Sequence, residues 1–260
     1  MPALAVFAAF WLLPMARLVQ VGASGPEGFA AYFAVVTHAN YFRSLVSTIA
    51  LSLGVTAATL VLSLVAGIFL QRNRFPGRGL LVSLMTLPLA FPGVVVGFMV
   101  ILLAGRQGLI GEVTSRLFDA RLVFAYGMAG LFMGYLYFSI PRVILTIMAS
   151  VEKLDPALEE AARSLGASTW QVTRDVILPA LGPAVISSGA ICFATSMGAF
   201  GTAFTLATQI NVLPLTIYNE FTNYANFAIA ASLSIVLGLI TWAALALARS
   251  FAGAGIAAGG

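Results

Sequence analysis

Six stretches of this chain are long, continuously apolar and almost free of charge, at residues 3–20, 44–70, 80–104, 122–148, 180–206 and 227–248. About 20 apolar residues carry an α-helix across roughly 30 Å of hydrocarbon. With 60% of its 260 residues hydrophobic and only 8% charged, the chain lacks the polar side chains to cover a water-soluble fold of this size. Its solvent must be lipid. The runs show no strict alternation, which argues against barrel strands, and inside a bilayer only helices or closed barrels satisfy their own backbone. The expected class is an all-α membrane protein with about six transmembrane helices. No length remains for a second soluble domain of ordinary size.

The first run, Ala3 to Val19, has the apolar content of a secretory signal. No basic residue precedes it, however, and Pro14 and Arg17 stand where a small-residue cleavage site belongs, so a retained helix is expected. One cysteine, Cys192, and one histidine, His38, exclude an internal disulfide, a thiolate cluster and a multi-histidine metal site. Cys192 reads as a small buried apolar residue and His38 as an outer-loop residue without a specific task. The net charge of +4 does not point to nucleic acid, because the basic residues are spread along the chain. With the N-terminus inside, seven basic residues (Arg72, Arg74, Arg78, Lys153, Arg163, Arg174, Arg249) fall on cytoplasmic segments and four (Arg43, Arg106, Arg116, Arg121) on outer ones. That bias predicts a cytoplasmic N-terminus.

Most connections are short. The stretch 150–178 is the exception, holding eight charged residues and two sets of helix punctuation. Asp155-Pro156 is a helix start, with Asp as cap and Pro in the first turn. Leu165-Gly166 is a stop, since glycine accepts the left-handed conformation. Ser168-Thr169-Trp170-Gln171 then reads as a capping box opening a second short helix, which Pro179 ends. A helix–turn–helix lying on the cytoplasmic membrane face is predicted. Glu159 reads as a solvated helix-start charge, whereas Glu160 is a carboxylate for a cap or a partner's basic group.

The residues of this loop, Glu160-Ala161-Ala162, Gly166 after three residues, and Val176-Ile177-Leu178-Pro179 after nine more, fit E-A-A-x3-G-x9-[I/V]-x-L-P. The segment resembles the coupling loop of permease subunits of binding-protein-dependent ABC importers, with Val176 where isoleucine is commoner. Tyr41 to Leu45, Arg74 to Arg78 and Leu87 to Gly97 also look like that family, so the resemblance covers about 41–248. It implies a first helix and outer loop at 1–40, a type I permease core at 41–248 and a short C-terminal tail at 249–260. It also implies a multi-pass protein of the bacterial inner membrane that works with two ATPase subunits, a second permease, identical or different, and a substrate-binding protein. ATP and magnesium would sit on the ATPases, since the chain has no G-x4-G-K-[S/T] loop and binds no cofactor itself. Glu160, Ala161, Ala162, Gly166, Val176, Leu178 and Pro179 are the expected coupling residues. In overall look the chain is closest to polyamine, aminoethylphosphonate and ferric-iron permeases.

A translocation path needs small or hydroxyl groups at mid-membrane depth, because unsatisfied polar groups are costly there. The fifth run supplies Thr195, Ser196, Gly198, Gly201 and Thr202, followed by a polar stretch from Thr208 to Asn226. On one continuous helix Thr195, Gly198 and Thr202 share a face. Similar permeases often carry an acidic residue before Phe-Gly; this chain has Ala199. Gly93/Gly97 and Gly130/Gly134 are spaced for close helix packing, Pro88, Pro92 and Gly93 for a break in the third run, and Arg142 for an inner gate or for snorkelling to headgroups. The alternative function, an ion-coupled secondary transporter, needs ionisable groups within the spans, and no acidic residue lies in any of the six runs. An intramembrane enzyme fails for want of paired His, Asp or Glu.

Overall fold

The computed structural model describes residues 2–206 and 210–257, with side chains as far as 251. All its regular elements are helical. In chain order they are α1 (Pro2–Gly22), α2 (Ala39–Arg72), α3 (Arg78–Thr86), α4 (Gly93–Ala104), α5 (Leu109–Phe118), α6 (Met128–Glu152) and α7 (Pro156–Ser164). There follow α8 (Thr169–Ala180), α9 (Gly182–Met197), α10 (Gly201–Leu206), α11 (Leu213–Thr222) and α12 (Phe227–Ala257). Five helical units are long and apolar enough to cross a membrane, with α4 and α5 together (Gly93–Phe118) as one of them, and α8 with α9 makes a sixth, bent by 63°.

Several expected spans are interrupted. Residues 80–104 divide into α3, a 3₁₀ turn at Leu87–Ala90 and α4, as Pro88, Pro92 and Gly93 require. After Ala104 the helix breaks at residues 105–108 and continues as α5. Residues 122–127, the expected start of the fourth span, are irregular. The N–H groups of Phe124 and Ala125 both donate to the Ala104 carbonyl at 3.1 Å, so this segment folds back on the end of α4 and helix starts only at Met128. The fifth span stops at Met197 and resumes at Gly201. The last helix runs on to Ala257, through most of the expected tail; residues 258–260 lie outside the described residues.

Two prolines are tolerated by the same device. A proline inside a helix lacks the N–H for the ladder and crowds the preceding turn. Upstream of Pro14 the helix widens to a π turn at Ala8–Leu12, and upstream of Pro179 to one at Thr173–Ile177. Each inserts one residue into the ladder just ahead of the proline.

In lipid, helices are held by close packing of small residues and by hydrogen bonds between them. One face of α2 carries Ser44, Thr48, Ser52, Thr59, Ser63 and Gly67, all buried. Towards its C-terminal end this face meets α6: a Cβ on Gly67 would lie 2.9 Å from Ile147 Cγ2, and Ser63 Oγ donates to the Ile140 carbonyl at 3.4 Å. Towards its N-terminal end it meets α11, whose Leu213 N–H donates to Thr48 Oγ1 at 2.8 Å.

The spaced glycines form a second seam. A Cβ on Gly97 would stand 2.6 Å from Thr205 Cβ, and one on Gly134 would stand 2.7 Å from Thr202 Cγ2. Thr202 is thus wedged between α4 and α6. Gly134→Leu should therefore overpack the seam and cost about 1–3 kcal/mol. Gly238, where a Cβ meets open space, supplies the control. Thermal unfolding of the purified protein in detergent should show a lower midpoint for Gly134→Leu and an unchanged one for Gly238→Leu.

Candidate functional site: the charged loop and the broken fifth span

The loop 150–178 folds as its punctuation dictates. Asp155 Oδ1 accepts the Ala157 N–H at 2.9 Å and Pro156 opens α7. Gly166 adopts φ +86°, where only glycine is free of a Cβ penalty, and its N–H donates to the Arg163 carbonyl at 2.9 Å. Ser168 and Gln171 complete the capping box reciprocally, Ser168 N–H to Gln171 Oε1 at 2.7 Å and Gln171 N–H to Ser168 Oγ at 3.3 Å. These caps meet orphan donors and acceptors at the helix ends locally, so the pair is stiff without help from a partner.

The placement of individual residues is informative. Glu160, Ala161 and Gly166 are exposed and Ala162 is half-buried. Leu165 and Trp170 project into open surroundings at 90% and 68% exposure. Val176 and Leu178 are half-buried and Pro179 is exposed, while Ile177 between them is the residue packed into the core. Glu159 corrects the sequence reading. It is buried rather than solvated, and its carboxylate pairs with the Arg72 guanidinium at the end of α2. Sequence spacing alone could not reveal the pair, because 87 residues separate its members. The ion pair joins the helical knob directly to a membrane-spanning helix.

The fifth span also differs from expectation. Because helix is interrupted at Gly198–Phe200, the single face joining Thr195, Gly198 and Thr202 does not exist. Tyr135, buried on α6, donates its hydroxyl to the Ala199 carbonyl at the break. Beyond it, Thr202 Oγ1 donates to the Gly93 carbonyl at 2.9 Å, and a Cβ on Gly201 would lie 3.1 Å from Val94 N. Gly201 and Thr202 are thereby committed to packing. Thr195 is half-buried and bonded to carbonyls of its own helix, and Ser196 is buried with no partner for its hydroxyl among the described residues. Gly198 is exposed, and a Cβ added to it would stand 3.8 Å from its nearest neighbour, the Ala194 carbonyl oxygen. It lines a cavity of about 530 Å³ with Arg17, Phe200, Pro214 and Tyr218. The polar stretch expected after it contains α11; Thr208 lies outside the described residues. Arg142 is exposed and in no ion pair among the described residues. Cys192 is buried, as expected.

Residues 59–254 match the family described as "Binding-protein-dependent transport system inner membrane component". The chain belongs to that family. It is 36% identical over 195 residues to the molybdenum transport system permease protein ModB of Escherichia coli, covering 72% of this chain and 84% of that one. It is 33% identical over 230 residues to the sulfate transport system permease protein CysT of the same organism, covering 87% and 81%. A putative 2-aminoethylphosphonate transport system permease protein, PhnU of Salmonella typhi, is 28% identical over 253 residues, covering 93% and 87%. The fold is shared with a chain of a bacterial alginate ABC transporter, at a TM-score of 0.83 and 18% identity over 95% of this chain and 90% of that one. A chain of the MetNI methionine ABC transporter gives 0.64 and 15%, over 82% and 95%. The protein is an ABC-importer permease of the inner membrane, with several membrane passes.

The Arg72–Glu159 pair is the testable feature of this geometry. Arg72 keeps a third of its side chain in solvent, which discounts the pair relative to a fully buried one. Glu159→Ala should cost about 1–2 kcal/mol. A double-mutant cycle with Arg72→Ala, read by thermal unfolding, should return a stabilising coupling energy between the two residues.

Proposed function

We propose that this permease carries a small oxyanion inward through a path shared with a second permease, driven by separate ATPase subunits that hold ATP and magnesium. A binding protein delivers the solute on the outer face, and the N-terminus is cytoplasmic. The observation that supports coupling most directly is the α7–α8 knob, capped at both helices and tied to α2 by Arg72–Glu159. A knob that transmits motion must not absorb it. Ala161 and Ala162 allow a partner's backbone to approach closely, Glu160 offers an exposed carboxylate, and Gly166 sets the angle between the two helices. Val176, Leu178 and Pro179 form the elbow that passes movement into α9 across its 63° bend. The oxyanion class is supported by relatives named for sulfate and 2-aminoethylphosphonate transport and by the absence of acidic residues from the six apolar runs.

Cysteines placed singly at exposed Ala161 or Ser164 should cross-link to the ATPase in the purified complex and resist labelling from outside intact cells. Gly166→Val forces a β-branched residue into the left-handed region, at about 1–2 kcal/mol, and re-aims α8. Uptake should be lost, with ATP hydrolysis no longer stimulated by loaded binding protein; wild-type uptake would refute the coupling role.

For the path we favour the break at Gly198, with Thr195 and Ser196 preceding it. Gly201 and Thr202 act as the anchors that hold the broken end. The cavity beside Gly198 has room for a larger side chain, so Gly198→Leu should abolish uptake of labelled sulfate or molybdate while the complex still assembles. Loss of assembly would assign Gly198 to a packing seam instead.

A further inference from the structure

A polar pocket of about 390 Å³ opens at the outer end of α2. Helix α2 is 34 residues long, roughly 50 Å, with Arg72 against the cytoplasmic knob at one end and the pocket at the other. The pocket therefore lies on the membrane face opposite the knob. Its floor is Glu220 on α11, only 8% exposed. Tyr41 donates its hydroxyl to Glu220 Oε1 at 2.9 Å, and no other side-chain hydrogen bond to this carboxylate is present among the described residues. No cation lies within 4 Å of it there either. Arg43 lines the same pocket, yet the three ion pairs of the described residues include neither Arg43 nor Glu220.

Glu220 thus lines the pocket with one carboxylate oxygen, Oε2, that has no side-chain hydrogen bond among the described residues. The lining also holds His38, Asn211, whose amide oxygen accepts hydrogen bonds, Asn219, whose Oδ1 already takes the Asn223 amide at 3.0 Å, and Tyr224, 71% exposed. The Glu220 carboxylate, the Asn211 amide and the exposed Tyr224 ring match a guanidinium, which presents planar N–H donors and stacks on tyrosine. The rim is polar and exposed, unlike the small-residue seams by which helices join within lipid. We propose that this pocket receives an arginine side chain of the substrate-binding protein, with Glu220 as its counter-ion. The inference rests on the permease reading, which places the docked binding protein on this face.

The test uses the complete permease–ATPase complex in lipid nanodiscs with its loaded binding protein. ATP hydrolysis is followed against binding-protein concentration for wild type, Glu220→Gln and Arg43→Gln. Glu220→Gln keeps the shape and an acceptor for Tyr41 but removes the charge. The binding-protein concentration at half-maximal stimulation should rise roughly tenfold or more, and its dependence on salt should weaken. Arg43→Gln should not reproduce this. Exchanging one docking-face arginine of the binding protein for glutamate should give a matching loss that Glu220→Gln does not deepen. Unchanged dependence in Glu220→Gln overturns the proposal, as does an equal loss in Arg43→Gln, which would make the two an internal pair. Failure of Glu220→Gln to co-purify with the ATPases, with Glu220→Asp restoring assembly, would assign the pocket to the second permease and also overturn it. No stimulation of the wild-type complex by any binding protein would overturn the permease reading itself.

Discussion

Every interruption of a helix inside lipid exposes backbone groups that water cannot reach, and the tertiary structure here is organised around answering them. The break in the fifth span frees the Ala199 carbonyl, and Tyr135 of α6 takes it. At the start of α4, Thr202 of α10 adds a hydrogen bond to the Gly93 carbonyl and so clamps the two helices together. The start of α11 leaves the Leu213 N–H unbonded within its own helix, and Thr48 of α2 accepts it. In the first and last cases a hydroxyl on one helix completes the backbone of another, and in the second it ties two helices together. The same bonds that make broken helices tolerable also fix how the helices cross.

That arrangement gives the two membrane faces different mechanical characters. On the side of the knob, helix ends are capped by their own side chains, and α7 and α8 stand as a preformed unit tied to α2 through Arg72 and Glu159. On the far side, α11 is held to α2 by Thr48, by the Thr216–Ser44 hydrogen bond at 3.0 Å and by Tyr41–Glu220. Helix α2 is the member common to both. A displacement of the knob has a continuous path of packed helix and hydrogen bonds to the opposite face, which is what the proposed coupling role requires.

Local signals are readable where the interaction itself is local. Asp155-Pro156, Leu165-Gly166 and Ser168 to Gln171 act within four residues of themselves, and each produces the cap that its chemistry implies. Pro88 and Pro92 break the third span for the same reason, since a missing N–H is a property of the residue. Glu159 and Glu220 are not readable. Both look like ordinary polar residues of loops, and both are buried because partners 87 and 179 positions away in sequence meet them in space. The run 180–206 fails differently: it is apolar enough to be one helix, and Gly198 and Gly201, which bracket the break, read equally well as small residues within a continuous span.

The sequence by itself determined that this chain lives in lipid, that it is helical, and that one charged, doubly capped loop stands outside the bilayer. Apolar run length, missing donors and capping residues act over a few residues and need no fold to operate. Only the tertiary structure decided that Gly201 and Thr202 are packing anchors while Gly198 faces a cavity, and that Glu159 has a cation beside it while Glu220, among the described residues, has none. Those outcomes depend on which helix faces arrive beside one another. In a membrane that choice is made by close fit and by the completion of stray hydrogen bonds, not by hydrophobicity, which lipid renders nearly uniform.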